Sequence, residues 1–208
     1  MTIRDISITL RVGTPEWPGD TPFACAWAWQ IAMGASVNVS CLTGSPHVGT
    51  HADAPLHVTD EAAGADTLPL DAFVGPCTVV DVSACSGDIA IPDLELGGAI
   101  AGGRLLLRTD RTIATGAFPS EWPALSAETA RHLAEGGLKL LGVDCPSVDA
   151  RDSTTLTVHR LLFQAGACVL ENLDLRDIVP GVYELVAPPV KIAGADAAPV
   201  RAVLRDLA

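Results

Sequence analysis

The sequence predicts an α/β fold in a single domain, and three observations carry that reading. Several uninterrupted apolar runs have the length of strands buried on both faces. Two helix-length segments are interleaved with those runs rather than segregated from them. Nineteen Gly and 15 Pro, spread through 208 residues, divide the chain into short elements without a repeat or a linker. A chain of this length builds one core that needs neither disulfides nor structural metal.

The elements follow in order. IRDISITL at the start alternates Ile3, Ile6 and Ile8 only imperfectly. FACAWAWQIA places Phe23, Cys25, Trp27, Trp29 and Ile31 on one face at period two, which predicts a strand. MGAS then turns the chain into VNVSCL, where Val37, Val39 and Cys41 alternate again, so residues 21–42 read as a hairpin. Further strands are predicted at 77–82 (CTVVDV), 104–109 (RLLLRT), 138–144 (LKLLGVD), 167–173 (ACVLENL) and 183–193 (YELVAPPVKIA). One helix is predicted over 127–135, with Ser126 as its N-cap and Gly136 and Gly137 as its stop. The other covers 155–165 and ends at Gly166.

Charge and composition narrow the function classes. Thirteen Lys and Arg against 25 Asp and Glu give a net charge of −12, which repels a phosphate backbone or an anionic membrane surface and argues against nucleic acid as a ligand. Residues 21–50 carry no Asp, Glu, Lys or Arg, but Pro22, Gln30, Gly34, Asn38, Gly44 and Pro46 break the stretch, so no membrane span is expected. Arg4 and Asp5 precede only a short apolar run, unlike a secretory signal, and a cytoplasmic protein is expected. Six cysteines (25, 41, 77, 85, 145 and 168) form no CxxC pair and are expected as buried free thiols. The mean hydropathy of +0.34 also suits a chain that buries surface against a partner.

Chemistry concentrates in PHVGTHADAPLH, which holds His47, His51, Asp53 and His57 among only five histidines in the chain. Gly49 and Pro55 make a helix poor here. In an extended chain the four odd-numbered side chains project to one side, and Gly49 leaves room on that side. Imidazole and carboxylate are ligands for zinc, manganese or iron, and one carboxylate can bridge two ions. Burying so many polar groups without a cation would cost about 2–7 kcal/mol for each one left unpaired, so the cluster reads as a metal site. His132 lies within the amphipathic ETARHLAEGG and reads as solvated, whereas His159 begins a helix that runs into Glu171, an acid closing an apolar strand.

The arrangement HxGTHxDxPxH, realised as His47, Gly49, Thr50, His51, Asp53, Pro55 and His57, resembles the signature of the metal-dependent cyclase-like amidohydrolases. The likeness extends through WPGD at 17–20, VDCPSVD at 143–149 and HRLLFQAGACVLENL at 159–173. It implies that residues 1–208 form one hydrolase domain, with a mixed, barrel-like sheet flanked by helices, in a homodimer. It further implies two divalent metal ions per subunit, zinc first and manganese as the alternative. His47, His51 and Asp53 would hold one ion and His159 the other, with Asp53 and Glu171 bridging. His57 would donate and accept protons, and Trp17 would line the substrate pocket. The implied reaction is hydrolysis of the formamide of N-formyl-L-kynurenine to L-kynurenine and formate, a step of tryptophan breakdown, and the alternative is opening of a cyclic amide such as isatin. Arg108, Arg111 and Arg160 stay open as partners for the amino-acid end of the substrate. A serine hydrolase is disfavoured because no GxSxG elbow is present. A closed structural zinc needs fewer ligands than the six candidates here.

Overall fold

The computed structural model describes residues 2–94 and 100–207. Its central feature is a nine-stranded mixed sheet curled into a half-barrel. In chain order the strands are β1 (Ile3–Asp5), β2 (Ala24–Trp29), β3 (Val39–Thr43), β4 (His51–Asp53), β5 (Val74–Asp81), β6 (Asp88–Ile89), β7 (Arg104–Arg108), β8 (Ala124–Leu125), β9 (Leu140–Val143), β10 (Cys168–Glu171), β11 (Gly181–Val186), β12 (Ala197–Pro199) and β13 (Val203–Asp206). Helix α1 (Ala127–Glu135) precedes β9, and α2 (Thr157–Gln164) precedes β10. The large sheet runs β1-β13-β11-β5-β7-β9-β10-β4-β12, while β2 with β3 and β6 with β8 form separate pairs.

The middle of the sheet, β5-β7-β9-β10, is parallel, and the flanking pairs are antiparallel. Parallel neighbours need crossover connections, and α1 and α2 supply two of them, both on the same face. This explains the continuous apolar runs. Leu105 and Leu107 of β7 and Leu141 and Val143 of β9 face Ala130, Leu133, Val158 and Leu162 of the helices. Leu106 and Leu140 face the other way, into a core with Ile6, Phe73, Leu170 and Leu185. Burying each such side chain contributes about 1.5–3 kcal/mol, so the two apolar layers dominate the stability of the fold.

Helix α1 begins where the sequence places it: Ser126 Oγ accepts from the Thr129 N–H at 3.0 Å. Helix α2 is capped differently, from a distance. Leu156 precedes it in a left-handed conformation without a side-chain cap, and the Asp149 carboxylate accepts from the N–H groups of Val158 and His159 at 2.9 and 3.0 Å.

Two expectations change, for one strand and for the cysteines, and the face of the hairpin, which its pattern leaves open, is exposed. The strand foreseen over 183–193 ends at Val186, because Pro188 and Pro189 cannot donate to a ladder. The hairpin forms as β2 and β3, but every residue of both strands is exposed, including Trp27 and Trp29 at 59% and 63%. Its period-two pattern therefore marks no core face. Cys25 and Cys41 lie on that hairpin and are exposed, contrary to the buried thiols foreseen, whereas Cys77, Cys145 and Cys168 are buried. Among the described residues no helix is long and apolar enough to cross a membrane.

Candidate metal centre

Strand β4 lies between β10 and β12, and the register puts His51 opposite Glu171 and Pro199, and Asp53 opposite Val169 and Ala197. Period two brings His51 and Asp53 to one side, as the sequence predicts. The extended run stops there. His47 sits in the turn before β4, and His57 ends the 3-10 turn Pro55–His57 after it. Gly49 serves that first turn: its φ is +74°, and a Cβ would stand 2.5 Å from Leu10 Cδ2. It is thus required for backbone conformation and close approach, not for room beside the ligands. Thr50 fastens the turn by accepting from the Ile8 N–H at 2.8 Å and donating to the Asn172 carbonyl at 2.6 Å.

Three triads of ligand-type atoms result among the described residues: His47, His57 and Asp196, all part-buried, and two more deeply buried ones that share Asp53. Asp53 Oδ1 is 3.1 Å from His47 Nδ1 and 3.2 Å from His51 Nε2. Asp53 Oδ2 is 3.1 Å from His159 Nε2, which is itself 3.2 Å from Glu171 Oε1. Glu171 Oε2 reaches back to within 3.6 Å of His51 Nε2. Asp53 therefore belongs to both of the deeper triads, and Glu171 spans them. His132, by contrast, is exposed on α1, away from the cluster.

The second nitrogen of each buried imidazole is already engaged. His51 Nδ1 donates to the Gly49 carbonyl at 2.8 Å, and His159 Nδ1 lies 2.7 Å from Asp149 Oδ2. Such contacts fix the ring tautomer and aim the other nitrogen inward. Asp149 and Asp196 are functional candidates that the residue pattern does not assign. Asp149 lies in the VDCPSVD segment, while Asp196 sits in GADAAPV with no distinguishing signal.

The electrostatics call for positive charge. Burial alone would raise the Asp53 carboxyl, yet the imidazoles of His51, His159 and His47 hold it well below the ordinary carboxylate range. Burial opposes charge on His47 as well, but Asp196 and Asp53 raise it to about 10. His159 is likewise raised, against burial, by Asp149, Asp53 and Glu171. Even so, among the described residues His51 Nε2 and Asp53 Oδ1 are buried with no hydrogen-bond partner. Each such atom costs about 1–3 kcal/mol. A divalent ion satisfies both at once. The separations of 3.1 and 3.2 Å also approach the roughly 3.4 Å between ligand atoms about 2.1 Å from one tetrahedral ion.

Above the cluster lies a cavity of about 320 Å³. Trp17, Phe118 and Leu156 give it apolar walls, and the four histidines line it with Glu171. Trp17 stands edge to face with Phe118 and Trp122, at centroid distances of 5.5 and 5.9 Å. Trp122 is in turn anchored by donating to the Asp149 carbonyl at 2.9 Å. Arg108, Arg111 and Arg160 do not line this cavity, and Arg108 is engaged by Asp81 and the Ile178 carbonyl.

Residues 4–150 match the Cyclase family model. The chain is 42% identical to a kynurenine formamidase of Erythrobacter litoralis, over 99% of this chain and 94% of that one. Identity to a kynurenine formamidase of Bordetella avium is also 42%, over 98% and 97% of the two chains. A solved structure described as a "potential metal-dependent hydrolase with cyclase activity" superposes with a TM-score of 0.85 at 29% identity, covering 100% of this chain and 98% of the other. Isatin hydrolase A from Labrenzia aggregata superposes with a TM-score of 0.84 over 98% and 93% of the chains, and at 24% identity that likeness concerns the fold alone.

Proposed function

The chain belongs to the Cyclase family, and from that premise we propose that it is an arylformamidase that hydrolyses N-formyl-L-kynurenine to L-kynurenine and formate. The observation that carries this reading is the orphaned pair His51 Nε2 and Asp53 Oδ1, a metal-demanding cluster in an aromatic-walled cavity. We assign His47, His51 and Asp53 to one ion and His159 to a second, with Asp53 and Glu171 shared between them, throughout one hydrolase domain of residues 1–208. Zinc suits this imidazole and carboxylate set, and manganese is the alternative. When bound, such ions supply Lewis acidity, which polarises a carbonyl and lowers the pKa of water.

The chain's own residues do the rest. His57, half-buried beside the cluster, carries the proton that the departing aryl amine needs, since an aryl amide anion is a poor leaving group. Trp17 offers its face to the aryl ring and, with Phe118, keeps water from that side. The cavity is at the small end of ligand sites, which suits one aromatic ring with a short side chain.

Assembly as a homodimer belongs to the same proposal. A lone two-stranded hairpin is marginal in water, and this one exposes Trp27, Trp29, Ile31, Met33 and Leu42. A second copy would cover it. Free cysteines, two of them exposed, suit the reducing cytoplasm.

The test is formate release by purified protein from N-formyl-L-kynurenine, run beside isatin. Turnover of the formamide in clear preference to isatin is expected. Turnover of isatin alone would move the substrate to the cyclic amides.

A further inference from the structure

We propose that Asp196 is a positioning residue for this reaction, its carboxylate holding the His57 ring so that Nε2 is the nitrogen left for proton transfer. The inference rests on the assignment of His57 above. Asp196 immediately precedes β12, and its carbonyl accepts from the Ala54 N–H at 2.9 Å. Its main chain is therefore tied to the segment that leaves β4, and its side chain has a fixed origin. From there Oδ2 lies 3.0 Å from His47 Nε2 and 3.4 Å from His57 Nδ1. The longer contact is of the kind that tightens when substrate binds.

A carboxylate offers only acceptors, so both imidazoles must present N–H to it. For His47 this leaves the Nδ1 lone pair turned toward the metal cluster, 3.1 Å from Asp53 Oδ1. For His57 it leaves the Nε2 lone pair free, and the ring lies between those of His47 and His159, at centroid distances of 4.4 and 5.8 Å. One acid thus orients one imidazole toward the metal cluster and another toward the bound substrate. An imidazole that shuttles protons through one nitrogen commonly has the other held in this way. Asp196 is part-exposed, so the arrangement does not bury an unpaired charge.

The experiment uses the metal-loaded protein with Asp196→Ala, Asp196→Asn and His57→Ala in parallel. It reads kcat and KM for N-formyl-L-kynurenine, metal per chain, and the ¹⁵N shifts of the His57 ring. For Asp196→Ala, kcat is expected to fall about 100-fold. KM should stay within about twofold when the proteins are compared at equal metal occupancy, because losing the contact to His47 also weakens metal retention. The ¹⁵N shifts should show the His57 proton moving from Nδ1 toward Nε2. Asp196→Asn, which keeps an acceptor oxygen, should fall less. Wild-type kcat in Asp196→Ala, unchanged His57 shifts, or a loss of activity that disappears at equal metal occupancy would each overturn the inference. If His57→Ala turns over like the wild type, the His57 assignment fails and this inference with it. If only His57→Ala is impaired, Asp196 fails alone. The ¹⁵N readout does not depend on which amide is the substrate.

Discussion

Trp17 and Asp149 make different contributions to the same site, and substitution separates them. Trp17 is 40% exposed and braced by Phe118 and Trp122, so its free face is available to an aromatic ring. Trp17→Ala should raise KM about two- to tenfold with kcat nearly unchanged, because an aromatic face contributes about 0.5–1.5 kcal/mol beyond burial and binds ground and transition states alike. Steady-state kinetics showing both constants unchanged would remove Trp17 from the pocket. Asp149 touches no substrate; it fixes His159 through Nδ1 and caps α2. Asp149→Asn should weaken metal retention about 10- to 100-fold, measured by competition with a chelator, and unchanged affinity would contradict its role. The chain's own pattern marks His51 and Asp53 through their strand-period spacing and brings His159 and Glu171 forward only as candidates, whose place as ligands is implied by the family likeness. Asp149 and Asp196 act through histidines, the latter 149 positions from His47, so no local pattern marks them.

At the scale of elements, legibility follows burial. Strands β7, β9 and β10 are buried almost throughout and read as continuous apolar runs. The three-residue strands β1 and β12 are too short for any period to show, and tertiary pairing alone defines them, while β4 shows only the two-residue spacing of His51 and Asp53. Gly142, in the middle of β9, measures how tightly these strands pack. A Cβ there would stand 2.4 Å from Leu106 Cδ2 and 3.0 Å from Leu173 Cδ1. Gly142→Ala should therefore destabilise the fold by about 1–3 kcal/mol, read from the denaturant midpoint. A wild-type midpoint would mean that the leucines yield freely. The hairpin is the opposite case: its period was legible, but its face was not, because alternation cannot tell a buried face from an exposed one. Replacing Trp27 and Trp29 together by Ser should shift the protein from dimer to monomer in sedimentation while the fold persists. A dimer that survives the change would place the interface elsewhere.

For the whole molecule, the curled sheet and the candidate metal site are one design. Antiparallel β4 beside parallel β10 brings His51 and Asp53 against Glu171, and the crossover through α2 returns His159 to the same place. The acids gathered there leave buried atoms unsatisfied, in a chain already at net charge −12. The central claim is that cations complete this cluster and make it catalytic. The most direct test is to titrate zinc into chelator-treated protein while following bound metal and formate release from N-formyl-L-kynurenine together. Activity should be absent at the start and rise with occupancy to about two ions per chain. Full turnover by protein that holds no metal would contradict the account.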